Sequence, residues 1–174
     1  WVRAKLREYF GDIPRQAPPP RPVNAEPEQR GEKRAEVHYP SETVSFQMGY
    51  KAPSVKSDDI YALDLVAAML SQGESSRLHR SLVYEQQLAL GVYAGFQTSL
   101  EPTLFEVSAE LAPGKTAAEG VAAVDSVLAR FVNEGPGERE LQKAKNLVEA
   151  GFVQALKTNN GAGRALGYYE HVYG

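Results

Sequence analysis

The middle of the chain constrains the fold most, because two predicted helices there are followed directly by a predicted strand. The first, Asp59 to Leu70, is apolar around almost its whole circumference, which is typical of a helix buried on all sides. A glycine break precedes a second helix, Ser75 to Gln87, for which Ser75 or Ser76 can provide an N-terminal cap. Alternating small and aromatic residues over Leu90 to Ser99 predict a strand that covers both helices. We expect the core to assemble here.

Three further stretches show the two-residue alternation of strands. They are Lys33 to Tyr39, Thr43 to Lys51 and Phe105 to Leu111. The last follows the strand Leu90 to Ser99 after a short turn, so these two are expected to form an antiparallel hairpin with one buried and one solvent-facing side.

Helical spacing returns in the last third of the chain. Thr116 and Glu119 form a capping-box signature at the start of a helix that runs to Asn133. A second long helix opens at Glu138 and is expected to end at Asn159-Asn160-Gly161, with a last helical turn or two over Gly163 to Tyr173. This order of elements predicts an α+β fold, a largely antiparallel sheet with helices packed on one face.

The N-terminal region has a different character. Trp1 to Phe10 resembles the last turns of a helix, with Gly11 as its stop. Arg15 to Gly31 is rich in proline and charge, and we interpret it as an inter-domain linker, with a proline-rich ligand for an adaptor domain as the alternative. We therefore expect a helix tail and linker over 1–31 and an α+β domain over 32–174. Because the chain starts without Met, we expect it to be a piece of a longer protein.

Composition excludes several function classes. A net charge of −3 gives no reason to expect nucleic acid or an anionic membrane surface as a partner. The absence of cysteine excludes disulfides, thiol catalysis and thiolate metal sites, and it fits a bacterial cytoplasm or periplasm equally well. No apolar run reaches the roughly 20 residues that a membrane-spanning helix needs.

The three histidines, His38, His79 and His171, do not form a metal-ligating pattern. None stands three or four residues from another, whereas a zinc site needs three or four converging ligands. Glu170-His171 resembles the end of the zinc motif His-x-x-Glu-His, but Gly167 stands where the first histidine belongs. We expect no metal here.

The other candidate groups also have simpler interpretations. Ser75-Ser76 lacks the Gly-x-Ser-x-Gly context of a nucleophile and suits a cap. Gly161-Ala162-Gly163 lacks the strand and lysine of a phosphate loop. Tyrosines near the C-terminus could anchor a partner or pack in the core. A charged helix is expected to present a solvated face with Glu138, Arg139, Glu140, Lys143, Lys145 and Glu149. We assign no catalytic, cofactor-binding or metal-ligating residue.

Several short motifs, in order, carry a family resemblance. Gly73-x-Ser75-Ser76-Arg77-Leu78, followed by Leu82 to Ala89, resembles the C-terminal half of the pitrilysin / mitochondrial processing peptidase family. Gly49 to Pro53 upstream and Glu138 to Lys145 downstream stand where that family's pattern expects them. The resemblance covers about Glu32 to Gly174, and Trp1 to Pro22 is similar to the helix tail and linker between the family's two halves.

The resemblance implies a clamshell metallopeptidase built from two α+β halves. The first half carries zinc on His-x-x-Glu-His and a further Glu, and its twin, similar to this chain, lacks them and is inactive. The implied partners are a zinc-bearing half in the same polypeptide, a second related subunit and extended peptide substrates. The family pattern continues past Gly174 with another helix and strand, so we expect a truncated domain with a sheet edge that can self-associate.

One departure from the family pattern concerns the groups that complete the active site from across the chamber. Family members with that role carry an Arg and a Tyr seven residues apart, and the matching positions here are Val83 and Leu90. Neither can donate a hydrogen bond to a tetrahedral intermediate. We expect the Arg/Tyr pair to come from a separate partner. The alternatives are a purely structural or assembly subunit, similar to the core proteins of the respiratory cytochrome bc1 complex, and a small ligand-binding α+β domain unrelated to peptidases.

Overall fold

The computed structural model describes residues 1–17, 19–20 and 27–173. Pro18, Pro22 and Glu26 of the predicted linker, and the final Gly174, lie outside the described residues. The chain divides into two compact units, Trp1–Tyr39 and Pro40–Gly174.

Among its described residues, the first unit contains one helix, α1, Val2–Phe10. It ends where predicted, and the backbone N–H of Gly11 donates to the Arg7 carbonyl at 2.9 Å. A Lys5–Glu8 ion pair one turn apart supports its exposed surface.

The strand predicted over Lys33 to Tyr39 is wrong. The segment has no regular secondary structure, and Val37 and Tyr39 are 86% and 82% exposed. Its charged side chains bond locally, as Arg34 does with Glu32. Alternation produces a strand only where a neighbouring strand pairs with the backbone and an apolar face is buried, and neither condition is met here.

The second unit carries the sheet and most of the helices. In chain order its elements are β1 (Ser45–Ala52), α2 (Asp59–Ser71), a π-helical segment (His79–Glu85), β2 (Ala89–Phe96), β3 (Thr103–Leu111), α3 (Ala117–Glu134), α4 (Glu138–Ala155) and α5 (Asn159–Tyr173).

The three strands form an antiparallel sheet in the order β1-β3-β2, so β3 is central. Its register places Val107 between Met48 and Ala94. These residues belong to the inner face, which packs on α2 and α3 and is apolar. It carries Phe46, Met48, Val92, Ala94, Phe96, Phe105, Val107, Ala109 and Leu111. The α+β prediction, an antiparallel sheet with helices on one face, is confirmed.

Close contacts join α3 to this core and α4 to α2. Gly120 in α3 lies against the Phe46 ring and the Leu111 side chain, with no room for a Cβ. On the far side of α2, Ala68 and Met69 form a second small cluster with Ala144 of α4.

The capping box of Thr116 and Glu119 is present in both directions and starts α3 as predicted.

The second predicted helix differs from its expected form. Regular helix begins only at Arg77, and His79–Glu85 is π-helical. The N–H of Gln86 accordingly donates to the Ser81 carbonyl, five residues back, at 3.0 Å. The cap expected from Ser75 or Ser76 is wrong, because Ser76 Oγ is buried without a hydrogen-bond partner and Ser75 Oγ bonds elsewhere.

The C-terminal helices divide at a different point from that predicted. Asn159 and Asn160 open α5 rather than end α4, which stops at Ala155. The reason is Thr158, whose hydroxyl accepts from the Gly161 N–H at 3.0 Å and caps the new helix. Among the described residues, no helix combines the length and the apolar character that a membrane span requires.

Candidate functional site

The three histidines lie in separate parts of the chain. His38 is exposed and 3.8 Å from the Glu36 carboxylate, His79 opens the π-helical segment, and His171 is exposed on α5. Within the described ranges, no group of three or more His, Cys, Asp or Glu side chains could hold a metal ion. The absence of metal ligands from this half of the complete protein remains a prediction.

The Ser-Ser-Arg-Leu motif forms a structural connection to α4. Arg77 Nε and Nη2 each donate to a Glu140 carboxylate oxygen at 2.7 Å, and Nη2 also donates to the Gly135 carbonyl at 2.7 Å. The guanidinium lies 4.8 Å from the centre of the Phe131 ring. Two parallel bonds and an aromatic face are the arrangement that arginine, but not lysine, can satisfy.

Hydrogen bonding between the two side chains favours the ionised form of each, although burial opposes it. The hydrogen bond from Arg77 lowers the pKa of Glu140, and the bond to Glu140 raises the pKa of Arg77. Beside it, Lys143 Nζ donates to Ser75 Oγ at 2.6 Å. The prediction of a uniformly solvated face on α4 is therefore wrong for Glu140, whereas Glu138, Arg139, Lys143, Lys145 and Glu149 are exposed as expected.

The two positions that depart from the family pattern face different environments. Val83 is half-buried against the main core, and Leu90 is 57% exposed at the start of β2. Neither side chain carries a polar atom, so the structure places two apolar groups at these positions.

The C-terminal tyrosines form an exposed aromatic group. Tyr168 donates to Thr98 Oγ1 at 2.7 Å, and its ring meets Tyr169 edge-on with centroids 5.6 Å apart. Tyr169 stacks on Tyr173 at 5.9 Å. Each is between 38% and 50% exposed, so the core-packing interpretation is wrong and a contact surface remains the other prediction.

The outer face of the sheet is open. Opposite the apolar inner face, β1, β3 and β2 present Ser45, Gln47, Gly49, Leu104, Glu106, Ser108, Glu110, Gly91, Tyr93 and Gly95. Tyr93 is 54% and Leu104 45% exposed. The alternation in the sequence indicated this polar face, but not that its two large apolar side chains lie over glycines.

Comparison with known proteins identifies the fold and its family. Residues 2–148 match the family model of the peptidase M16 inactive domain. The chain belongs to this family. The prediction made from the motifs around Arg77 is thereby confirmed.

Two curated relatives are named zinc proteases. An uncharacterized zinc protease of Mycobacterium leprae is 28% identical over 178 residues, covering 98% of this chain and 39% of that protein. Zinc protease PqqE of Helicobacter pylori is 28% identical over 142 residues, covering 81% of this chain and 32% of that protein.

A solved structure extends the likeness to three dimensions. A protease from Helicobacter pylori superposes with a TM-score of 0.88 at 24% identity, covering 97% of this M16 inactive domain and 41% of that chain. The chain thus spans less than half the length of each of these three relatives.

Proposed function

We propose that this chain is the non-zinc-binding, C-terminal-type half of a zinc metalloendopeptidase, and that it forms chamber wall, substrate-binding surface and subunit interface. The open outer face of the sheet carries this proposal. One side of the sheet is committed to the core, while the other offers exposed apolar and hydrogen-bonding side chains along three aligned strands. Such an open surface lacks the concave, enclosing shape of a small-molecule site, so it suits an extended peptide more than a compact ligand.

We further propose the domain division that the sequence suggests. Residues 1–31 would connect this half to a preceding zinc-bearing half with His-x-x-Glu-His, and 32–174 would form the inactive domain. Zinc would be held in the preceding half. Val83 and Leu90 support a division of labour in which the donors that stabilise the tetrahedral intermediate come from a second, related subunit.

The test compares a longer parent protein with this chain, each with and without the product of the neighbouring gene. Zinc content and cleavage of an unstructured peptide are measured in every combination. We expect zinc and cleavage in the parent and neither in this chain, with cleavage requiring the neighbour. Stoichiometric zinc in this chain alone would contradict the assignment.

The same experiment separates the rival function. A structural or assembly subunit of the same fold would give a parent without zinc and without cleavage in any combination. Zinc and cleavage in the parent without the neighbour would preserve the peptidase but overturn the division of labour inferred from Val83 and Leu90.

A further inference from the structure

Glu106 lies at the centre of the open sheet face. It lies on the central strand, and its cross-strand neighbours are both glycine, Gly49 in β1 and Gly95 in β2. Because neither neighbour has a side chain, no group of its own register stands beside the carboxylate.

Two apolar side chains flank this position. The Tyr93 phenol lies over Gly95, so that a Cβ there would be 2.8 Å from Tyr93 Cζ. Leu104 lies over Gly49, where a Cβ would be 3.3 Å from a Leu104 methyl group. Glu106 is therefore half-buried in a short trough with a phenol on one side and a branched alkyl group on the other.

The carboxylate in this trough is not paired with any described basic side chain. Within the described part of the chain, no hydrogen bond or ion pair engages Glu106. The other acid of this face, Glu110, accepts a hydrogen bond from the Thr43 hydroxyl at 3.0 Å. Lys51, a basic residue of this face, lies near the end of β1 and pairs in register with Leu104. Between apolar walls, a carboxylate attracts a cation more strongly than it does in open water.

We propose that Glu106 binds a lysine or arginine side chain of an extended peptide that lies on the open sheet face. This inference rests on the proposed function, which supplies the peptide. The aliphatic part of the basic side chain packs between Tyr93 and Leu104, and its charged end reaches the carboxylate. Glu106 thus fixes the position on the sheet at which a basic residue of the peptide binds.

The test uses two unstructured peptides that differ at one residue, arginine in one and its neutral analogue citrulline in the other. Each is titrated into the isotope-labelled 174-residue chain and followed by amide chemical shifts. We expect the arginine peptide to bind about ten-fold more tightly, as for one charge-assisted contact, with shifts at Tyr93, Gly95 and Leu104. Glu106→Gln should abolish the difference between the peptides.

Glu110→Gln is the matched control, since it removes a charge from the same face and strand. It should preserve the preference for arginine. Equal affinity of both peptides for the unaltered chain, or a preference that survives in Glu106→Gln, would overturn this inference but leave a peptide-binding face. If neither peptide changes the amide chemical shift of any residue on the outer face, the proposed function is overturned as well. Unchanged thermal unfolding of Glu106→Gln checks that the variant is folded.

Discussion

Arg77 and Glu140 are 63 positions apart in the chain and are joined side by side by two hydrogen bonds of 2.7 Å. The bonds connect the start of the helix that leads into the π-helical segment to the first turn of α4. Since the two side chains are only 22% and 28% exposed, the pair is shielded from much of the screening that weakens surface ion pairs.

Replacing Arg77 by lysine keeps the charge but removes the paired geometry and the contact with the Phe131 ring. We expect the free energy of unfolding to fall by about 2 kcal/mol, the scale of hydrogen bonds between charged groups. Unfolding in urea measures this free energy. Arg139→Lys, an exposed change on α4 next to Glu140, should change it by less than about 0.5 kcal/mol. Equal effects of the two changes would contradict the role of the pair.

The pair also gives stability a pH dependence. Arg77 holds the pKa of Glu140 below its ordinary 4.5 in the folded chain, so the ionised form is favoured by folding. This contribution is fully present above pH 4.5 and is lost as the pH falls through the lower, folded value. The difference in unfolding free energy between the unaltered chain and Glu140→Gln should therefore be largest near pH 7 and shrink below pH 4.5. A difference that is constant from pH 7 to pH 3 would refute this.

Asp64 in α2 should behave in the opposite sense. Burial raises its pKa above 3.8, which means that folding disfavours its ionised form. The stability linked to its protonated form is present below pH 3.8 and is lost as the pH rises through the folded value. We expect Asp64→Asn to raise the thermal midpoint at pH 7 and to lose that gain below pH 3.8. Asp125→Asn, an exposed change in α3, should leave the midpoint unaltered at both pH values.

Two glycines in helices make a matched pair. At Gly120 a Cβ would clash with the Phe46 ring and approach Leu111 Cδ2 at 3.0 Å, whereas at Gly151 in α4 it meets nothing within 4 Å. Gly120→Ala should lower the free energy of unfolding by about 1–3 kcal/mol. Gly151→Ala should raise it by up to about 1 kcal/mol through helix propensity. Guanidinium unfolding of both variants is the measurement, and stabilisation by Gly120→Ala would show that the helix–sheet contact is loose.

Most of the secondary structure could be predicted because its periodicity reflects one buried face. The strands around Met48, Ala94 and Val107 alternate clearly, and the capping box at Thr116 is a local signal. Predictions that depend on contacts distant in sequence were less successful. The segment at 33–39 alternates without a pairing partner.

Side-chain roles were harder to predict for the same reason. A serine before a helix predicts a cap, but Ser76 is buried, and its neighbour Ser75 bonds to Lys143 on another helix. In the sequence, nothing distinguishes Glu140 from an exposed glutamate, because its partner Arg77 lies 63 positions away. The trough around Glu106 depends on the register of three strands, which the alternation alone does not specify.

The central place of β3 also limits how this chain can change in length. Its register is set on both sides, by β1 and by β2. Inserting or deleting one residue within it would shift part of β3 against both neighbours at once, and without a bulge alternate side chains such as Val107 and Glu106 would exchange faces. Changes in length are therefore accommodated more easily at the turns of this domain than within β3, where they require a bulge.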